Sequence, residues 1–236
     1  MDNDSKTDDQ NVNNVQGQNE SCAPCSRPSV CYAPVKVLNL YAGIGGNRKL
    51  WTDVEVTAVE LDPKIAAIYQ DFFPADKVVV GDAHAFLLEH YKEYDFIWAS
   101  PPCPSHSDVR RANVLNQAGS MTKAIYPEMS LYQEVILLMY FAPKKTKWVV
   151  ENVIPYYEPL ISAQKAGRHL WWSNFSITDY PKNDLNVRVD YVGTRTIFGF
   201  DLKKYDGIDK RKCLRNCVEP ELGLHVFNAS RVRALF

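Results

Sequence analysis

Between Val35 and Val150, short apolar runs alternate with stretches of helical periodicity, and this alternation limits the folds open to the chain more than any other feature. Residues 35–41, 54–61, 77–80, 94–99 and 147–150 each read as a buried strand. Between them, 63–72, 83–91 and 127–141 have helical spacing, and Pro63 suits a first helical turn. A short helix is also expected near Lys49. Strands that alternate with helices return to the same sheet by right-handed crossovers. The expected fold class is therefore α/β, a doubly wound, mostly parallel, Rossmann-like sheet.

Residues 1–34 are a different kind of sequence, rich in Asn, Asp, Gln and Ser. Such a stretch buries too little apolar surface to offset its ordering entropy, so a disordered tail is expected ahead of one folded domain at 35–236. Cys22, Cys25 and Cys31 lie in that tail without a fourth ligand nearby, and no metal site is expected. The tail also hides the charge balance. The net charge is -1, but residues 1–20 hold five acidic side chains and one lysine, which leaves a small positive excess elsewhere. That excess is compatible with phosphate contact without being evidence for it. Arg110-Arg111, Lys144-Lys145-Thr146-Lys147 and Lys210-Arg211-Lys212 with Arg215 read as solvated faces. No apolar run approaches the roughly 18 residues of a membrane span. The N-terminus has neither a basic start nor an apolar stretch, and the six cysteines are too sparse for a disulfide scaffold. A cytoplasmic, monomeric protein is expected.

Three stretches carry chemistry beyond packing. The first strand runs into Tyr41-Ala42-Gly43-Ile44-Gly45-Gly46, where glycines allow positive φ and close approach of backbone to a ligand. This spacing differs from the Gly-x-Gly-x-x-Gly dinucleotide fingerprint, which disfavours a nucleotide-linked dehydrogenase. Glu60 ends the second strand, where an acid can hold ribose hydroxyls, and Asp82 ends the third, within reach of an adenine amino group. Turn and acids together suit S-adenosylmethionine; the alternative is that they only cap helices.

After the fourth strand comes Ser100-Pro101-Pro102-Cys103. Two prolines stiffen the turn, so Cys103 is either presented at the carboxyl edge of the sheet or is an ordinary small buried hydrophobe. Glu151 follows the fifth strand. A carboxyl at the lip of an apolar sheet is expected to hold its proton and donate it to a ring nitrogen, unless solvent reaches it.

The glycine turn, Pro101-Pro102-Cys103-x-Ser105-x-Ser107 and Glu151-Asn152-Val153 occur in the order and approximate spacing of the C5-cytosine DNA methyltransferases. The chain resembles that family over roughly residues 35–225. Leu214-Arg215-Asn216-Cys217-Val218-Glu219-Pro220-Glu221-Leu222-Gly223 is similar to its closing Gly-Asn-x-Val-x-Pro helix, with Arg215 for glycine, and that helix is expected at 214–227. The resemblance implies an S-adenosylmethionine-dependent methyltransferase fold. It implies cofactor contacts from Tyr41, Ala42, Gly43, Ile44, Gly45, Gly46, Glu60, Leu61, Asp82, Ala83 and Pro101, and from Asn216 and Val218. It also implies double-stranded DNA as partner, a flipped-out cytosine, Cys103 as nucleophile on C6, and Glu151 at N3. Residues 104–126, with Ser105, Ser107, Arg110 and Arg111, would close over the base, with Gly119-Ser120 as hinge.

Two departures stand out. Where the family has a Gln-x-Arg-x-Arg strand start, this chain reads Gly167-Arg168-His169-Leu170-Trp171-Trp172. Arg168 carries over as a catalytic-site residue and the second arginine does not. Only 38 residues separate Phe175 from Leu214, a short recognition insert at 175–213. Asn174, Asn183, Arg188, Arg195 and 203–215 are the expected readers, for a site of about two to four bases. Trp171 and Trp172 are candidates for stacking on a nucleotide, but neighbouring strand residues face opposite ways, so at least one of them is expected in the core. Transfer RNA as substrate, or an inactive nucleic-acid-binding subunit, are the alternatives.

Overall fold

Four adjacent parallel strands form one side of the sheet: β1 (Val35–Leu40), β2 (Val54–Glu60), β3 (Lys77–Val80) and β4 (Phe96–Ala99). The computed structural model describes residues 33–102, 106, 127–180 and 198–232. All four residues of β4 are buried, as are the last four of β1, because helices cover both faces of the sheet. Three further strands, β5 (Lys147–Val153), β6 (Gln164–Ala166) and β7 (His169–Ser173), complete the order β3-β2-β1-β4-β5-β7-β6. β5 is parallel to β4, whereas β7 runs antiparallel between β5 and β6. The chain steps outward from β1 to β2 and β3, then returns to the other side of β1 as β4. That reversal opens a crevice at the carboxyl ends of β1 and β4, the place where such sheets bind ligands.

Helices α1 (Pro63–Phe72), α2 (Ala83–His90) and α3 (Ser130–Phe141) follow β2, β3 and β4. Asp62 caps α1 by accepting from the Lys64 amide at 2.8 Å, and Pro63 occupies its first turn. Strand alternation sends neighbouring residues to opposite faces. Leu38, Ile97, Val150 and Trp172 join Leu87, Leu131 and Val135 on one face. Val37, Trp98, Val149 and Trp171 pack on the other with Leu222, Val226 and Phe227, which belong to the last helix (Pro220–Arg231). Trp171 and Trp172 are thus both core, each on its own face, and neither is left to stack on a nucleotide.

The sequence expectation needs three corrections. The segment around Lys49 is a run of turns rather than a helix, closed by three-residue bonds such as Trp51 N to Arg48 O at 3.1 Å. Arg48 holds it by gripping Asp76 at 2.8 and 3.0 Å and the Trp51 carbonyl at 2.8 Å. β5 runs three residues beyond 150, because β7 supplies a partner for Glu151, Asn152 and Val153. The closing stretch is two helices: α4 (Lys210–Arg215) stops at Asn216, and α5 (Pro220–Arg231) starts afresh. No helix among the described residues is long and apolar enough to cross a membrane.

Gly223 shows how tightly α5 is seated. A Cβ there would come within 2.6 Å of the Asn47 carbonyl oxygen and 2.8 Å of its Cα, backbone that cannot turn aside. Helix propensity alone favours alanine over glycine by about 1 kcal/mol. Gly223→Ala is nevertheless expected to destabilise the protein by roughly 1–3 kcal/mol, the range for overpacking. Urea unfolding decides the sign: a stabilised variant would mean α5 does not press on this turn.

Candidate active site

The turn after β1 is shaped by three left-handed residues, Tyr41 at φ 57°, Gly43 at 55° and Gly45 at 84°. Its glycines differ in what they face. A Cβ on Gly45 would strike the Phe73 ring at 2.3 Å, and one on Gly46 would meet the Val218 carbonyl at 2.6 Å. Of the three, only Gly43 opens onto free space, with nothing within 4 Å of that position. Ala42 and Ile44 send their side chains into the core. The turn can therefore offer a ligand its backbone around Gly43, while Gly45 and Gly46 are glycine for packing.

Glu60 fixes this turn. Its Oε2 accepts from the Gly43 amide at 2.9 Å and its Oε1 from the Asp62 amide at 3.1 Å. Beside it Leu61 is 69% exposed, and Val80 at the end of β3 is 54% exposed. Both are large apolar side chains left in solvent at strand ends. Gly81 between Val80 and Asp82 is open as well. Asp82 accepts from the Ala85 amide at 2.7 Å and so caps α2, while Ala83 is buried.

Across the crevice, the Pro101 carbonyl accepts from Asn152 Nδ2 at 3.0 Å. Pro101 itself is buried at the end of β4. Cys103 lies outside the described residues, as do Ser105, Ser107, Arg110, Arg111, Asn183, Arg188, Arg195 and the cysteines of the tail. His106 is described and buried. Its Nδ1 lies 2.6 Å from the Tyr157 hydroxyl, its carbonyl accepts from the Tyr156 amide at 3.2 Å, and burial lowers its pKa.

Glu151 is buried within β5. The side chain that approaches it is His169, with Nε2 3.6 Å from Oε1, rather than Arg168, which is exposed in the Gly167-Arg168 turn joining β6 to β7. His169 follows Arg168 directly, but the β5–β7 register that brings it diagonally across from Glu151 is invisible in one strand's sequence. Asn216 is exposed and its amide closes α4 on the Lys212 carbonyl at 3.0 Å. Val218 is buried against the glycine turn. The exposed Val80 is a candidate that the motifs alone do not single out, although an apolar residue ahead of Gly81-Asp82 is a usable signal.

The glycine turn, the exposed ends of β2 and β3 and the Pro101-Pro102 segment, tied to β5 through Asn152, thus lie along the carboxyl edge of one sheet. Residues 35–137 match the family model for C-5 cytosine-specific DNA methylase. The resemblance seen in the motifs is to this family, and the matched stretch carries the glycine turn, Glu60, Asp82 and the Pro101-Pro102-Cys103 segment. No curated protein matches the chain. Among solved structures, it is similar to a hypothetical protein of Thermus thermophilus, at 17% identity over 59% of this chain and 74% of that one, TM-score 0.41. It is also similar to a SAM-dependent methyltransferase from Agrobacterium tumefaciens (17%, 53% and 40%, TM-score 0.36). A TehB-like SAM-dependent methyltransferase from Corynebacterium glutamicum is a third (16%, 52% and 56%, TM-score 0.32). The chain spans about half the length of these last two. The sheet is the expected doubly wound, mostly parallel, Rossmann-like one.

Proposed function

We propose that the protein is an S-adenosylmethionine-dependent DNA (cytosine-5-)-methyltransferase acting through Cys103. The observation that carries this reading is the 3.0 Å bond from Asn152 to the Pro101 carbonyl. It ties the segment that leads into Cys103 to the strand that bears Glu151, which supports reading the two as parts of one site.

The residues present fit the cofactor. Open backbone at Gly43, the Glu60 carboxylate and the exposed Leu61 and Val80 side chains would hold a nucleoside, with Asp82 beside them. When bound, S-adenosylmethionine supplies the methyl group. The chain's own task is to make cytosine C5 nucleophilic. Cys103 Sγ adds to C6 and pushes electron density to C5, while Glu151 holds a proton at N3 against the developing charge. Loss of the C5 proton then restores the ring and expels the Cys103 thiolate. Burial of Glu151 inside β5 keeps water from competing for it. A base inside a duplex is out of reach of this chemistry, so the target is flipped out. The short insert after Phe175 favours a recognition site of about two to four bases, bound mainly through phosphates.

Labelled methyl transfer to duplex DNA and to transfer RNA tests the reading. Label in DNA cytosine is expected; label confined to RNA assigns the same chemistry to the other substrate, and no label in either leaves a binding subunit.

Glu60→Ala should weaken S-adenosylmethionine binding by roughly 1.5–3 kcal/mol, the value of hydrogen bonds to a charged group. It removes a ribose partner and the anchor of the Gly43 amide together. Calorimetry on the folded variant checks this, and unchanged affinity would remove Glu60 from the site.

A further inference from the structure

Glu134 is the one charged residue in α3, whose sequence Ser-Leu-Tyr-Gln-Glu-Val-Ile-Leu-Leu-Met-Tyr-Phe is otherwise apolar or neutral. It is fully buried, although a carboxyl among Leu131, Val135 and Leu138 costs free energy unless it is paired. Its Oε1 accepts from the Tyr41 hydroxyl at 2.6 Å and lies 3.1 Å from His84 Nδ1. Its Oε2 is buried without a hydrogen-bond partner. Burial raises the pKa of both Glu134 and Tyr41.

The two partners belong to different turns. Tyr41 begins the turn after β1 and stands at φ 57°, a left-handed backbone that a tyrosine keeps only when its surroundings hold it. Two residues on is Gly43, with its open face. His84 is in the first turn of α2, two residues after Asp82. One buried carboxyl from α3 thus joins the turns that follow β1 and β3. Packing alone would be served at least as well by leucine at position 134, so the carboxyl has another use.

We propose that Glu134 is a positioning residue for the methyl-donor site: by holding the Tyr41 hydroxyl and the His84 ring, it sets the shape of the two turns that receive S-adenosylmethionine. This inference rests on the reading of those turns as the cofactor site.

The test is calorimetric titration of S-adenosylmethionine into the full chain, with thermal melts to show that each variant is folded. Tyr41→Phe and Glu134→Ala should each raise Kd about tenfold or more, as for loss of a hydrogen bond to a charged group. The double variant should be no more than about twofold worse than Glu134→Ala alone, because the two changes remove one interaction. Glu134→Gln keeps an acceptor for Tyr41 and should restore most of the affinity. If Glu134→Ala does not fold, the Tyr41→Phe and Glu134→Gln pair still decides. Wild-type affinity in Tyr41→Phe, or losses in the two single variants that simply multiply, would overturn the proposal while leaving the cofactor site in place. A wild-type chain that does not bind S-adenosylmethionine would overturn the site and the proposal together.

Discussion

Cys103→Ser is expected to lower methyl transfer by on the order of 10⁴-fold or more, as removal of a covalent nucleophile does elsewhere. Binding of S-adenosylmethionine should stay near the wild-type value, because in the proposed mechanism the thiol acts on the base and the donor sits at the turns after β1, β2 and β3. Serine preserves the size of the side chain, so the change tests chemistry rather than packing. An alkoxide is far harder to form than a thiolate at neutral pH, and C6 of cytosine is a weak electrophile. Single-turnover measurement with labelled donor and excess DNA reads the chemical step directly. Turnover within tenfold of wild type would remove Cys103 from the reaction.

Glu151→Ala should reduce kcat by about 10²–10³-fold, the range for loss of one preorganised group that meets developing charge. KM for DNA should change much less, because phosphate contacts dominate affinity. The variant would also leave His169 without the carboxylate that its Nε2 approaches at 3.6 Å. A matching fall in kcat from His169→Leu, with partial return in His169→Gln, would mark the histidine as holding Glu151 in place. Equal kcat for Glu151→Ala and wild type would show that the ring is activated by another group.

The parts of this account that were legible in the sequence are those set by local rules. Pro63 opens α1 at its expected first residue, and the apolar runs at 35, 54, 77 and 94 each contain a strand. Residues whose role depends on a distant partner were not legible. The length of β5 is set by β7, and the turn at Lys49 is set by the Arg48–Asp76 ion pair. Gly45 and Gly46 read as ligand-facing, yet their neighbours are Phe73, Val218 and Cys217. Glu134 offered a signal, a lone charge in an apolar helix, but its partners at 41 and 84 could be found only from the sheet order that brings three connections to one edge. His169 offered none.

The most direct test of the central claim is trapping on DNA containing 5-fluorocytosine in the presence of S-adenosylmethionine. Fluorine at C5 cannot leave as a proton does, so the enzyme stays bonded to C6 after methyl transfer. Mass spectrometry of the digested complex should find the modified base on a peptide at Cys103. A methylated product without any adduct, or an adduct on a residue other than Cys103, would contradict the account.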